Sequence, residues 1–207
     1  FYWDELGRLT RHENADGTYH AYDWTDTGLL KRTINPEKGT VERHYDERGR
    51  LVALLNENQE RYRFQWGPDS LVTDETGLDG VITHYDYDAC GRAVQRTFAY
   101  GTEQALVHQA AYDVLGQLTK RTTADGVTLF GYNTTGQLIS ARTTTTGDNP
   151  YSQFVHMDYD KSGLLIREQT LSGRVDYTYD VLGNKTDVLF ADGRTLKTLY
   201  YGSGHTL

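Results

Sequence analysis

Two stretches of this 207-residue chain carry residue types that could do chemistry: His84-Tyr85-Asp86-Tyr87-Asp88 and His156-Met157-Asp158-Tyr159-Asp160. On a β-strand alternate side chains share a face, so His84, Asp86 and Asp88 would line up, as would His156, Asp158 and Asp160. An imidazole and two carboxylates on one face could seed a divalent-cation site. Two considerations weigh against it. Alternate residues of a strand stand about 7 Å apart, wide for one ion. Asp88 and Asp160 also fall where a turn is expected, and a carboxylate that caps its own turn is already occupied. No metal and no cofactor is therefore expected. The seven histidines lie in different parts of the chain, and none accompanies a Gly-x-Ser-x-Gly or a Cys/His signature. His-Glu-x-x-His and Gly-rich phosphate loops are missing as well. Cys90 is alone, which removes any internal disulfide framework and suits a small turn residue. Asn133-Thr134-Thr135 and Asn184-Lys185-Thr186 fit the glycosylation pattern, but both occupy a turn motif. No residue supports an enzyme reading, and no catalytic residue is expected.

The elements behind these residues come from a repeat. Tyr112-Asp113-Val114-Leu115-Gly116-Gln117-Leu118 returns as Tyr179-Asp180-Val181-Leu182-Gly183-Asn184, as Tyr159-Asp160-Lys161-Ser162-Gly163 and as Tyr45-Asp46-Glu47-Arg48-Gly49. Looser copies start at Trp3 (with Asp4 and Gly7), Trp24, Trp66, Tyr87 (with Asp88 and Gly91), Tyr132 (with Gly136) and Tyr201. The leading aromatics stand 21, 21, 21, 21, 25, 20, 27, 20 and 22 residues apart. Such a period decides the architecture before any local reading does. The aspartate of the motif can fold back onto the backbone two residues on, and its glycine can take a left-handed conformation. About thirteen residues after each aromatic comes a second turn signal, read as a tight primed turn: Asp16-Gly17, Asp79-Gly80, Asp125-Gly126, Ser172-Gly173 and Asp192-Gly193. Two turns per period leave two strands of about seven residues each, so the unit is one antiparallel hairpin. Tyr62, Phe64 and Trp66 alternate with Arg61, Arg63 and Gln65, which makes one face aromatic and the other charged. The aromatics are read as cross-strand ladders between successive hairpins; the competing reading is a row of sugar-stacking platforms.

Composition agrees with a sheet. Hydrophobic content is 37% and Tyr outnumbers Phe 16 to 6, too apolar-poor for a large dry interior. The formal charge of -8 opposes nucleic acid and anionic membrane as partners, because both recruit clustered Lys and Arg. No run reaches membrane-spanning length. Helical signals are nearly absent, and all-β is expected.

Irregularities mark particular repeats. Trp66-Gly67-Pro68-Asp69-Ser70-Leu71 has lost both motif Asp and motif Gly, so its turn type is expected to change. Asn58-Gln59 replaces Asp-Gly in the third hairpin. Insertions near Thr97–His108 and Thr143–Pro150 are read as longer hairpin tips. The array begins at the end of a second strand and stops within a turn at Gly202-Ser203-Gly204-His205, so residues 1–207 are expected to be one repeat array cut from a longer one.

Tyr-Asp-x-x-Gly-x-Leu, followed by Asp-Gly and then aromatic-x-Tyr-Asp, resembles the YD repeat of the Rhs family, found also in insecticidal toxin-complex proteins and teneurins. The likeness covers essentially the whole chain, with Tyr200-Tyr201-Gly202-Ser203-Gly204-His205 similar to a typical Rhs stretch. It implies a curved sheet of about ten antiparallel hairpins, a segment of a hollow shell. In bacterial members the shell encloses a C-terminal toxin that is delivered to other cells. The implied partners are the rest of the shell, the enclosed toxin and a secretion apparatus. The implied location is a bacterial protein made in the cytoplasm and then secreted. Family members end the shell with Asp-Pro motifs linked to self-cleavage; this chain has no Asp-Pro, so no cleavage residue carries over.

Size decides what such a segment could enclose. About twenty strands at ~4.8 Å span roughly 95 Å of sheet. A toxin of about 130 residues is roughly 36 Å across. A wall around it, its midline about 5 Å outside, needs a circumference of roughly 145 Å. The segment would supply about two thirds of one turn, a wall and not a container. Three other readings stand beside it: a carbohydrate-binding array using Trp3 or Trp24, a β-propeller with four-stranded blades, and, last, an enzyme.

Overall fold

The computed structural model describes residues 1–147 and 149–200. Among the described residues there are nineteen β-strands and no helix. The chain forms two compact units, Phe1–Leu106 and Val107–Leu207.

The first unit holds β1 (Tyr2–Trp3), β2 (Leu9–Glu13), β3 (Tyr19–Trp24), β4 (Leu30–Ile34), β5 (Thr40–Tyr45), β6 (Leu51–Leu55), β7 (Arg61–Trp66), β8 (Val72–Thr76), β9 (Ile82–Tyr87) and β10 (Ala93–Phe98). Each pairs antiparallel with the next along the chain, from β1–β2 through to β9–β10. Pairing runs through all ten strands with no break every fourth strand, so blades of a propeller are not formed here. The second unit repeats the plan with β11 (Leu106–Tyr112), β12 (Leu118–Thr123), β13 (Gly126–Tyr132), β14 (Leu138–Thr145), β15 (Ser152–Tyr159), β16 (Leu165–Thr170), β17 (Gly173–Tyr179), β18 (Lys185–Phe190) and β19 (Thr195–Lys197). Its strands pair in the same consecutive order. All-β hairpins in series are what the repeat predicted.

The two-residue period does the sorting expected of it. Along β7 the residues Arg61, Arg63 and Gln65 are exposed while Tyr62, Phe64 and Trp66 are half-buried. No side chain is fully buried among the described residues, and the best-covered apolar ones are Ala53 at 8% exposure and Met157 at 9%. A chain this poor in aliphatics makes half-buried faces and no thick core.

The turns differ from expectation in three ways. Asp16-Gly17, Asp79-Gly80 and Asp192-Gly193 are not two-residue primed turns. In each, a three-residue loop closes a wider pair, as where Asn14 N donates to Thr18 O at 2.8 Å and Gly17 N to Asn14 O at 3.1 Å. This is a type I turn followed by a left-handed residue, which is why glycine stands third. At Asp125-Gly126 and Ser172-Gly173 the tight loops are residues 124–125 and 171–172, the glycine being the first strand residue, paired with Thr123 and Thr170 respectively. The turn at Gly67–Leu71 does not change type despite losing its Asp and Gly. Gly67 N donates to Leu71 O at 2.8 Å, and Ser70 accepts the left-handed backbone at φ 60°. Pro68 fits because the first central position of a type I turn already has the φ that its ring fixes. Gln59 does the same at φ 63° in the third hairpin. The insertions lie at tips, in residues 99–105 and 146–150, the latter including Asp148 outside the described residues.

Candidate functional site

The motif aspartate caps its own turn. Asp46 Oδ1 accepts from the backbone N–H of Arg48 and of Arg50, both at 2.9 Å, and Oδ2 accepts from Arg50 Nε at 2.7 Å. Asp4 takes Leu6 N at 3.0 Å and Arg8 N at 2.8 Å. Asp88 takes Cys90 N at 2.9 Å and Arg92 N at 3.0 Å. Asp113, Asp160 and Asp180 accept from the same two backbone positions. These donors favour the ionised carboxyl, so Asp46 titrates below its ordinary range, led by the backbone N–H of Arg50. Asp4 and Asp88 are lowered in the same way, by Arg8 and Arg92. In Asp180 the leading cause is the Asn184 side chain. The motif glycines Gly7, Gly49, Gly91, Gly116, Gly136, Gly163 and Gly183 all close these loops from the left-handed region.

The leading aromatic has a task that its spacing did not reveal. After every motif turn the ladder slips by one residue: Asp23 faces Arg32 but Trp24 faces Leu30, leaving Lys31 extra. His44 faces Ala53 and Tyr45 faces Leu51, leaving Val52 extra. A β-bulge of this kind disturbs the ladder at the strand start. The next aromatic along the sheet takes up the carbonyl there. Trp24 Nε1 donates to Leu9 O and Trp66 Nε1 to Leu51 O, both at 2.8 Å. The hydroxyls of Tyr45, Tyr87, Tyr132, Tyr159 and Tyr179 donate to Leu30, Val72, Leu118, Leu138 and Leu165 at 2.6–2.9 Å. Every leading aromatic is Trp or Tyr and none is Phe, because phenylalanine has no donor for that carbonyl. Tyr201 lies outside the described residues; Tyr200 holds the equivalent bond, to Lys185 O at 2.9 Å, which restores a 21-residue step from Tyr179. Trp3 is exposed in β1, and Tyr112 ends β11 opposite Leu118.

A third contact, absent from the sequence reading, comes from the residue after the motif glycine. Arg8 reaches its own Asp4 and also Thr25 O in the next turn at 3.0 Å, and lies over Trp24 at 5.8 Å. Arg50 repeats this with Gly67 O at 3.4 Å and Trp66 at 5.4 Å. Gln117 and Gln137 cross to Gly136 O and Gly163 O at 3.3 and 2.9 Å. The recurring long polar side chain at one offset was the available signal. The grooves between successive turns are shallow, and they recur in both units, between Trp24–Leu29 and Arg43–Gly49 as between Asn133–Ile139 and His156–Gly163. They follow from the repeat and mark no single locus.

The two His-x-Asp-x-Asp stretches do not assemble a site. Asp88 and Asp160 are committed to their turns. His84 Nδ1 sits 2.8 Å from Asp74 Oδ1 on the neighbouring strand and its ring stacks on Tyr100 at 4.5 Å. The Asp74 hydrogen bond raises its pKa. His156 pairs with Asp158 at 3.3 Å. Among the described residues no group of three or more His, Cys, Asp or Glu could hold a metal.

Comparison with known proteins places this geometry. The family described as Teneurin YD-shell matches residues 1–182. The chain belongs to the teneurin YD-shell family. Its likeness to Double-stranded DNA deaminase toxin A of Burkholderia cenocepacia (strain H111) is 26% identity over 216 residues, covering 99% of this chain and 15% of that protein. Probable deoxyribonuclease RhsA of Dickeya dadantii (strain 3937) is 30% identical over 91 residues, 42% of this chain and 6% of that one. The crystal structure of TcdB2-TccC3-TEV superposes with a TM-score of 0.81 at 16% identity, over 99% of this chain and 12% of that one. The Photorhabdus luminescens Tc holotoxin pore gives 0.67 at 13% identity, over 93% and 13%. This YD-shell chain spans 6–15% of the length of these relatives and structures. The YD-shell match, with a toxin among the similar proteins, supports a shell, toxin-associated role.

Proposed function

We propose that residues 1–207 are a section of wall in a longer shell that encloses a toxin of the same polypeptide and releases it after delivery. The wall acts by exclusion. It catalyses nothing, keeps the toxin from its substrate inside the producing bacterium, and travels with it through a secretion apparatus. The observation that carries this reading is the recurrence along the chain of turn-capping aspartates and aromatic-to-carbonyl staples, joined at Arg8, Arg50, Gln117 and Gln137 by a bridge to the next turn. Joints of the same kinds recurring along the chain suit a continuous wall. The charged strand face lines the lumen in this proposal, because a polar lining does not trap the cargo by apolar burial. The motif residues from Trp3 to Gly183 are its structural joints. The carbohydrate-binding alternative loses a platform at Trp24, whose indole is committed to Leu9 O and covered by Arg8.

The test uses the full-length protein that carries this segment, with its toxin activity measured before and after opening the wall. Replacing Asp46, Tyr45 and Gly49 together should expose the toxin to protease and release its activity without denaturant. Equal protease resistance and equal latency in the parent and the variant would refute enclosure by this segment.

A further inference from the structure

The register of the first unit brings together two histidines that are eight residues apart in the sequence and belong to no repeat motif. His12 of β2 and His20 of β3 are direct cross-strand partners. Their rings stand 6.3 Å apart, centroid to centroid, and within 12° of parallel. Phe1 stacks on the outer side of His12 at 4.4 Å. Both imidazoles are half-buried, so solvent reaches them. Among the described residues neither makes an ion pair or a hydrogen bond, unlike His84, His156 and His44, each beside a carboxylate. The positions equivalent to His12 along the sheet are Thr33, Leu54, Glu75, Arg96, Arg121, Ala141, Glu168 and Val188. The histidine pair is thus a local feature and not a product of the repeat.

We propose that His12 and His20 form a two-imidazole chelate for a late first-row divalent cation, Zn(II), Ni(II) or Cu(II), with water completing the coordination. Directly opposed strand residues have Cβ atoms about 4.5–5.5 Å apart. That spacing lets two imidazoles converge on one ion with metal–nitrogen bonds of about 2.0–2.1 Å once the rings tilt toward each other. Neutral imidazole is a ligand these ions accept, and it is a poor one for Mg(II) or Ca(II), which take oxygen. Glu13, the next residue along β2, points to the opposite face and is paired with Arg11. An ion bound there bridges β2 and β3 beside the Asn14–Thr18 turn and locks that hairpin.

The test titrates ZnCl2 into the tag-free 207-residue chain at pH 7.5 by calorimetry and follows histidine ring nitrogens by long-range proton–nitrogen NMR. One site is expected, with the resonances of His12 and His20 shifting together at saturation. His12→Phe keeps a ring between Phe1 and His20 but has no ligating nitrogen; it should weaken Zn(II) at least tenfold, as should His20→Ala. His44→Ala and His156→Ala should leave the affinity unchanged, and Cu(II) should bind more tightly than Zn(II). The parent should gain melting temperature with Zn(II) and His12→Phe should not. Unchanged Zn(II) affinity in His12→Phe, or saturation with no shift at His20, overturns the site. Metal-free melting curves of the variants confirm that they fold, so that a lost site is distinguishable from a lost structure.

Discussion

Tyr45→Phe removes one oxygen atom and tests why the repeat begins with Tyr or Trp. The hydroxyl donates to Leu30 O at 2.8 Å, beside the residue left over by the bulge. A neutral hydrogen bond of this kind contributes about 0.5–1.5 kcal/mol net, and an acceptor left unsatisfied costs about 1–3 kcal/mol when buried. Tyr45 and Leu30 are only half-buried, so water recovers part of the loss and a cost of about 1 kcal/mol is expected. In a unit the size of Phe1–Leu106 that lowers the melting temperature by roughly 4–8 °C. Tyr22→Phe is the control: it is half-buried in the adjacent repeat, and its hydroxyl has no hydrogen-bond partner among the described residues. Tyr45→Trp should recover at least half of the loss, since Trp24 and Trp66 fill the same slot with an indole donor. Circular dichroism melts of the four proteins supply the comparison, with amide exchange in β4–β6 to localise the effect. If Tyr45→Phe melts within 1 °C of the parent, or no lower than Tyr22→Phe, the donor is irrelevant and the repeat's aromatic is there for bulk alone.

Other consequences follow from the turns and faces. Gly183→Ala, at φ 83° with open space around the added carbon, should cost about 1 kcal/mol; Ser70→Gly, at φ 60°, should stabilise by a similar amount, both read as shifts in denaturation midpoint. Asp4, Asp46, Asp88 and Asp180 all have depressed folded-state pKa values. Their contribution is complete above the unfolded value near 3.8 and is lost as pH falls through the lower folded values, so the melting temperature should hold down to about pH 5 and drop below pH 4. Asp46→Asn should flatten that acid limb while leaving the turn formed, since Asn133 already caps the same turn by accepting Thr135 N and Gln137 N. Replacing Tyr177 and Tyr179 by Ser should lower the melting temperature more than replacing Arg174 and Asp176 by Ala, because the latter make solvent-accessible ion pairs, with Arg174 exposed and Asp176 half-buried; equal losses would remove the basis for assigning structural and lumenal faces.

The period was legible because each hairpin must solve one problem in one way. A single-layer sheet has no thick core to compensate for a faulty joint, so donor, turn cap and left-handed residue recur wherever the problem does. Asp46 and Gly49 could be read this way from one repeat's neighbours. The turn at Gly67–Leu71 could not, because its geometry is held by the closing pair of strands and Ser70 tolerates what glycine usually does. The same reasoning explains the misread Asp-Gly pairs: a type I turn with a left-handed third residue and a two-residue primed turn both favour glycine after aspartate, and only the closing hydrogen bonds separate them. The bulge was invisible for a different reason. One extra residue per repeat is absorbed into a constant period and leaves no irregularity to notice; only its consequence shows, as the exclusion of Phe from the leading position. The Arg8 and Arg50 contacts leave little trace in the sequence because the position varies in identity, while length and donor capacity are what cross to the next turn. The motif contacts are therefore distributed along the chain, and their chemistry is backbone satisfaction. A catalytic constellation concentrates unusual residues at one locus. A wall needs the opposite, the same residues at every locus, and a pair such as His12 and His20 draws attention because the repeat does not require it.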